Sequence, residues 1–198
     1  MNRRAAIVWL AIAAIALLVW RAELFSVSRP GATPQPLALL SGDARTPVSL
    51  EAVLPVVPVG MREIASGHGV LLVHFWAPWE RHSLQQAQAL DSLRRLPGFE
   101  TIDMVVVCFD PFPSVARYIG RNRLRLSVLL DHRQALKPAL PCPSIPFTYV
   151  LDASGRIAVA QAGEVDWLSP ETGRCLREIA ETGATQPVPP LPVTAAPS

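Results

Sequence analysis

The chain has 198 residues, 50% of them hydrophobic, and 18 Lys and Arg against 16 Asp and Glu leave a net charge of +2. A near-neutral balance removes the electrostatic basis of phosphate-backbone binding, so no nucleic-acid partner is expected. Setting aside an apolar start and a Pro-rich end, about 140 to 150 residues remain, one domain's worth and enough to bury a core.

Ala5 to Trp20 is an unbroken apolar run of 16 residues, preceded by Arg3-Arg4 and followed by Arg21. As a helix it would measure about 24 Å at 1.5 Å per residue. That is slightly short of a hydrocarbon core of about 30 Å, and Trp20 and Arg21 can close the gap at the interface. Residues 1–25 are therefore expected to be a membrane anchor. A cleaved signal peptide with Ser26-Val27-Ser28 at its processing site is the alternative. The basic N-terminus should stay in the cytoplasm by the positive-inside bias. The expected location is a bacterial inner membrane, crossed once, with the C-terminal domain in the periplasm.

Residues 26–36, including "SRPGATPQP", read as a linker. In "LALLSGDARTPVSL" two apolar runs flank Gly42-Asp43-Ala44-Arg45, a hairpin signal. "LPVVPVG" argues against a central strand between Glu51 and Gly69, and Met61 to Ala65 reads as a short helical turn. "GVLLVHFW" predicts a strand covered on both faces. A helix is predicted over Ser83 to Leu96, with Ser83 and Gln86 as a capping box and Pro97-Gly98 as its stop. "TIDMVVVCF" predicts a second buried strand, Pro113 to Asn122 a helix and "LSVLLD" a short strand. Arg133 to Leu140 reads as a further turn of helix. "FTYVLDASGRIAVAQ" predicts a hairpin about Asp152-Ala153-Ser154-Gly155. Ser169-Pro170-Glu171 opens a last helix with cap, first-position proline and first-turn acid, running to about Thr182. Residues 183–198 form a Pro-rich tail without periodicity, expected to be disordered. The domain boundaries are therefore 37–182.

Alternating strand and helix predicts parallel strands with right-handed crossovers, closed by an antiparallel hairpin. Four segments in order carry a family resemblance: "TPVSL", "LLVHFWAPW", "IPFTYVLDASGRI" and "GEVDWLSPE". Together they resemble the membrane-anchored, exported thioredoxin-like proteins of the TlpA/ResA type. The resemblance implies an α/β fold with a central mixed sheet flanked by helices, an N-terminal β-hairpin extension and one N-terminal transmembrane helix. It also implies a cis Ile145-Pro146 peptide facing the first helix's N-terminus, where it shapes a peptide-binding groove.

The departure lies in "WERHS", where Glu80 and Ser83 occupy the two positions of the family's redox cysteines. Thiol–disulfide exchange needs an attacking thiolate and a resolving thiol, and neither residue supplies one. No catalytic residue is therefore expected at these positions. Trp79, Glu80, Arg81, His82, Ile145 and Pro146 would line a binding groove, and no cofactor or metal is expected. Cys108 reads as a buried small hydrophobe. Cys142, four residues before Pro146, is left open as a lone reactive thiol, a disulfide partner of Cys175, or a spectator. Glu80, His82 and Ser83 include acid, base and nucleophile types, yet a triad is defined by geometry and no Gly-x-Ser-x-Gly elbow is present. His82 with His74 or Cys142 could hold copper. Arg117, Arg121, Arg123 and Arg125 form either a contact face for an acidic partner or anionic lipid headgroups, or a solvated face.

The expected function is a membrane-anchored, non-catalytic binding or assembly module for a membrane complex or an exported metalloprotein. One alternative is a thiol–disulfide oxidoreductase of the cytochrome c maturation kind, acting through Cys142 or a partner's thiol. Copper handling is the second.

Overall fold

The computed structural model describes residues 33–184. The anchor, residues 26–32 of the linker and residues 185–198 of the Pro-rich tail lie outside the described residues, whereas positions 183 and 184, expected in the tail, belong to the last helix. Among those described, no helix is long and apolar enough to cross a membrane.

Seven strands form one sheet: β1 (Glu51–Val57), β2 (Met61–Ala65), β3 (Val70–Phe75), β4 (Ile102–Cys108), β5 (Val128–Leu130), β6 (Phe147–Leu151) and β7 (Ile157–Ala162). Their order is β2-β1-β5-β4-β3-β6-β7. The central β3-β4-β5 pairs are parallel and the flanking pairs antiparallel. Three helices follow: α1 (Ser83–Leu93) between β3 and β4, α2 (Phe112–Asn122) between β4 and β5, and α3 (Pro170–Ala184) after β7. The chain steps from β3 to β4 to β5 in one direction, so right-handed crossovers place α1 and α2 on the same face.

Alternation along the strands divides the core in two. Leu72, Met104, Val106 and Val150 face Ala87, Leu90 and Leu93 of α1, Val115 and Ile119 of α2, and Leu176 and Ile179 of α3. Leu71, Val73, Phe75, Val105 and Val107 face the other way, where Leu50, Leu136 and Leu140 cover them. The segment after β5 that supplies Leu136 and Leu140 is a series of turns, where the sequence suggests a helical turn. Pro138 lacks the amide a helix would need there. Instead the Asp131 carboxylate accepts from the amides of Ala135 and Leu136 at 2.6 and 3.0 Å, and Gln134 adopts φ 53°.

Two expectations about the front of the domain are corrected. Gly42–Ala44 is a 3-10 turn without flanking strands. Its neighbours pair singly with the closing hairpin, at Pro47 with Arg156, and Gln35 bridges to Val165. The hairpin lies further on, where β1 and β2 pair from Glu51↔Ala65 to Pro55↔Met61 about a cis Val57-Pro58 bond. Val56 donates to Gly60 O, so the nitrogen of Pro55 faces the opposite side. There β5 pairs only with Val56 and Val57, so the proline interrupts no ladder. Backbone pairing with the body of the fold reaches back past Leu37. Gln35 donates to Glu164 O at 3.0 Å and accepts from the Asp166 amide at 2.8 Å.

His74 of β3 is fully buried, with Nδ1 3.0 Å from the Thr148 hydroxyl and its ring set edge-on against Trp167. It is a core residue on the helical face. Burial lowers its pKa from 6.5 to about 4. Between those values the unfolded chain binds more protons than the folded one. The stability it contributes is therefore whole above pH 6.5 and is lost as pH falls toward 4. At about 1.4 kcal/mol per pKa unit, roughly 2 to 3 kcal/mol disappears by pH 4.5. Urea unfolding at pH 7 and pH 4.5 should show that loss, and His74→Gln should reduce the difference by that amount.

Candidate functional site

β3 delivers the chain to a buried Trp76-Ala77, and a turn of Pro78 to His82 then feeds α1. The amide of Glu80 donates to Ala77 O at 3.1 Å, and that of Ser83 to Glu80 O at 3.3 Å. His82, and not Ser83, is the N-cap residue, and its side chain makes no capping bond. The capping box expected from Ser83 and Gln86 does not form because both side chains are engaged elsewhere. The Ser83 hydroxyl donates to Ala77 O and reaches Glu80 Oε2 at 3.2 Å. Gln86 donates from Nε2 to Val165 O at 3.0 Å, and its Oε1 accepts from the Val165 amide at 3.1 Å and Trp167 Nε1 at 2.8 Å. One buried amide thus ties α1 to the loop between β7 and α3.

That loop completes the site. Gly163, at φ 92°, donates to Pro146 O at 2.9 Å, and the next residue, Glu164, points its carboxylate at His82 Nδ1. Glu80 folds back so that its Oε2 accepts from the His82 amide at 2.9 Å. The Ile145-Pro146 peptide is cis, as the resemblance implies. It leads into Phe147, which pairs with Phe75 at the end of β3 and so lies at the same end of the sheet as the turn. Pro146 is buried, Ile145 half-buried, Arg81 exposed and Trp79 70% exposed. Among the described residues the backbone N–H and C=O of Ile145 carry no hydrogen bond.

Glu80, His82 and Ser83 are brought together, but not as a hydrolytic constellation. The His82 imidazole turns to Glu164 while the Ser83 hydroxyl turns to backbone, so base and nucleophile do not meet. Nothing in the sequence distinguishes Glu164 within its glycine-led segment. No local pattern announces a carboxylate that meets a histidine 82 residues away.

Cys142 lies elsewhere. It packs against the second core cluster, half-buried, and its Sγ donates to Ser144 O at 3.1 Å. Cys175 belongs to the first cluster on the other face, and all three cysteines are free thiols, so the pairing of Cys142 with Cys175 is not made. Burial pushes the thiols of Cys142 and Cys175 up to about 11, and that of fully buried Cys108 to about 12. Cys142 is no part of the donor group around His82, which leaves the copper pairing of those two without support. The four arginines of α2 and its following loop are exposed, and the Arg94 guanidinium at the C-terminal end of α1 donates to Arg125 O at 3.5 Å. An 11-residue helix of about 16 Å separates Arg125 from the site.

The sheet order, the strand-to-helix turn at the end of β3 and the cis proline beside it define a thioredoxin-like fold. No family model matches the chain, and no curated protein matches it in sequence. Solved structures do match. StoA from Bacillus subtilis is similar at 17% identity with a TM-score of 0.55, over 68% of this chain and 98% of its own. A DsbF homologue from Corynebacterium diphtheriae is similar at 17% identity and TM-score 0.56, over 80% and 98%. The exposed lipoprotein thioredoxin Etrx1 of Streptococcus pneumoniae is similar at 17% identity and TM-score 0.57, over 65% and 99%. The structural neighbours are thioredoxin-like thiol–disulfide oxidoreductases, and at these identities the likeness is one of fold.

Proposed function

We propose that this chain is a membrane-anchored, periplasm-facing thioredoxin-like protein that performs no thiol–disulfide exchange and uses the end of its sheet as a binding surface for a protein partner. The observation that carries this reading is the state of the turn before α1. The position of the attacking thiol holds a carboxylate committed to the His82 amide, and that of the resolving thiol holds a buried hydroxyl. The surroundings of the missing pair persist: an exposed Trp79, a cis Ile145-Pro146 and an unpaired backbone at Ile145. Such a backbone edge can accept an extended segment of a partner. The partner would be a membrane complex or an exported metalloprotein.

The test compares the full chain with a Trp79→Ala/Arg81→Glu variant in its native membrane, crosslinked and analysed by mass spectrometry. A partner recovered with the unaltered protein and lost with the variant supports the reading, whereas identical recovery from both contradicts it.

The oxidoreductase alternative would depend on Cys142. With a pKa of about 11, only about one molecule in ten thousand carries the thiolate at pH 7. Iodoacetamide at pH 7 should therefore label Cys142 far more slowly than free cysteine. Labelling at the rate of an activated thiol would restore the alternative.

A further inference from the structure

Glu80, His82 and Glu164 together suggest more than an ion pair. Each offers one ligand atom, and these atoms all lie within 4.8 Å of one another. We infer that the three side chains form a binding site for a divalent first-row metal ion of the zinc type, in the place where relatives of this fold carry their redox pair. This inference stands apart from the proposed binding role, which needs no metal.

The charges favour a cation. Two carboxylates face one imidazole, and among the described residues neither carboxylate forms an ion pair with an Arg or Lys side chain. The partial positive charge at the N-terminus of α1 is about half a unit and is outweighed by two full carboxylate charges. The donors select the kind of ion. One imidazole and two carboxylates, with no thiolate, suit zinc or manganese and do not suit copper(I). Zn–N and Zn–O bonds of about 2.0 to 2.2 Å put tetrahedral ligands roughly 3.4 Å apart, a separation of the same order as the 4.8 Å within which the three donors already lie.

The backbone is held for this purpose. Glu164 sits between Gly163, bonded to Pro146 O, and Val165, bonded in both directions to Gln86, and its own carbonyl accepts from Gln35. Glu80 is fixed by the bonds of its Oε2 to the His82 amide and the Ser83 hydroxyl, an outer layer of the kind that orients metal ligands. Three protein ligands leave a fourth position open. The ligands are half-buried beside exposed Trp79 and Arg81, so that position is reachable from solvent or by a partner's side chain.

The experiment uses the full chain, purified in detergent without a polyhistidine tag, stripped with chelator and dialysed against ZnCl2. The expected result is one zinc per chain, with affinity at least about tenfold weaker in His82→Ala and in the isosteric Glu164→Gln, the scale on which even outer-shell changes act. His68→Ala, at the other end of β3, should bind as the unaltered chain does. Far-UV circular dichroism identifies any variant that fails to fold. Visible d–d absorption of the Co2+-loaded chain, lost in Glu164→Gln, reports the same site independently. Absence of saturable zinc binding, or binding undiminished in both folded variants, overturns the inference.

Discussion

Glu80→Cys/Ser83→Cys is expected to turn this protein into a working thiol–disulfide oxidoreductase. The two positions already have the asymmetry the reaction needs. Glu80 is half-buried and open to a partner, while Ser83 is 2% exposed and shielded. An accessible attacking thiol and a protected resolving thiol three residues later can complete an exchange cycle. The attacking thiol would sit at the N-terminus of α1, where the helix lowers thiol pKa values below the ordinary 8.5 or so. Insulin reduction in the presence of dithiothreitol should rise from background to steady turnover. A folded double variant that forms its disulfide yet shows no turnover would mean that more than the two thiols has been lost.

Gln86→Leu is expected to be the most damaging conservative change near the site. The substitution keeps the volume but strands the amide and carbonyl of Val165 and the indole N–H of Trp167, all three of which now bond to Gln86. Val165 and Trp167 are both 1% exposed, so water cannot replace the lost partners. Each stranded buried group costs about 1 to 3 kcal/mol, and partial relaxation brings the expected total to roughly 2 to 4 kcal/mol. For a domain of this size that lowers the melting temperature by about 5 to 15 °C. Gln85→Leu, on the exposed side of the same turn, should shift it little. Thermal unfolding followed by circular dichroism separates the two. Equal, small shifts would show that the loop between β7 and α3 is held by other means.

The sequence made the central architecture legible because burial there follows simple periods. β3 and β4 are continuous apolar runs, α1 buries Ala87, Leu90 and Leu93, and Ser169 caps α3 through the Thr172 amide at 3.1 Å. The first hairpin was hidden by Pro55 and Pro58. Whether a proline breaks a strand depends on which side its nitrogen faces and on how far the neighbouring strand extends, and neither is local information. Ser83 and Gln86 misled for a related reason. Their spacing fits a capping box, but their strongest partners, Ala77 O and the Val165–Trp167 segment, come from tertiary contacts. The site was half legible. The absence of thiols at Glu80 and Ser83 is a matter of residue identity. Glu164 becomes part of the site only when α1 and the loop after β7 are brought together.

The proposal that the turn before α1 performs no exchange chemistry is tested most directly by assaying the unaltered full-length chain for insulin reduction and for oxidation of a dithiol peptide at pH 7. Rates indistinguishable from the uncatalysed reactions are predicted, with all three cysteines still free afterwards. Turnover above background that survives Cys142→Ser would contradict the reading of this surface as a binding site.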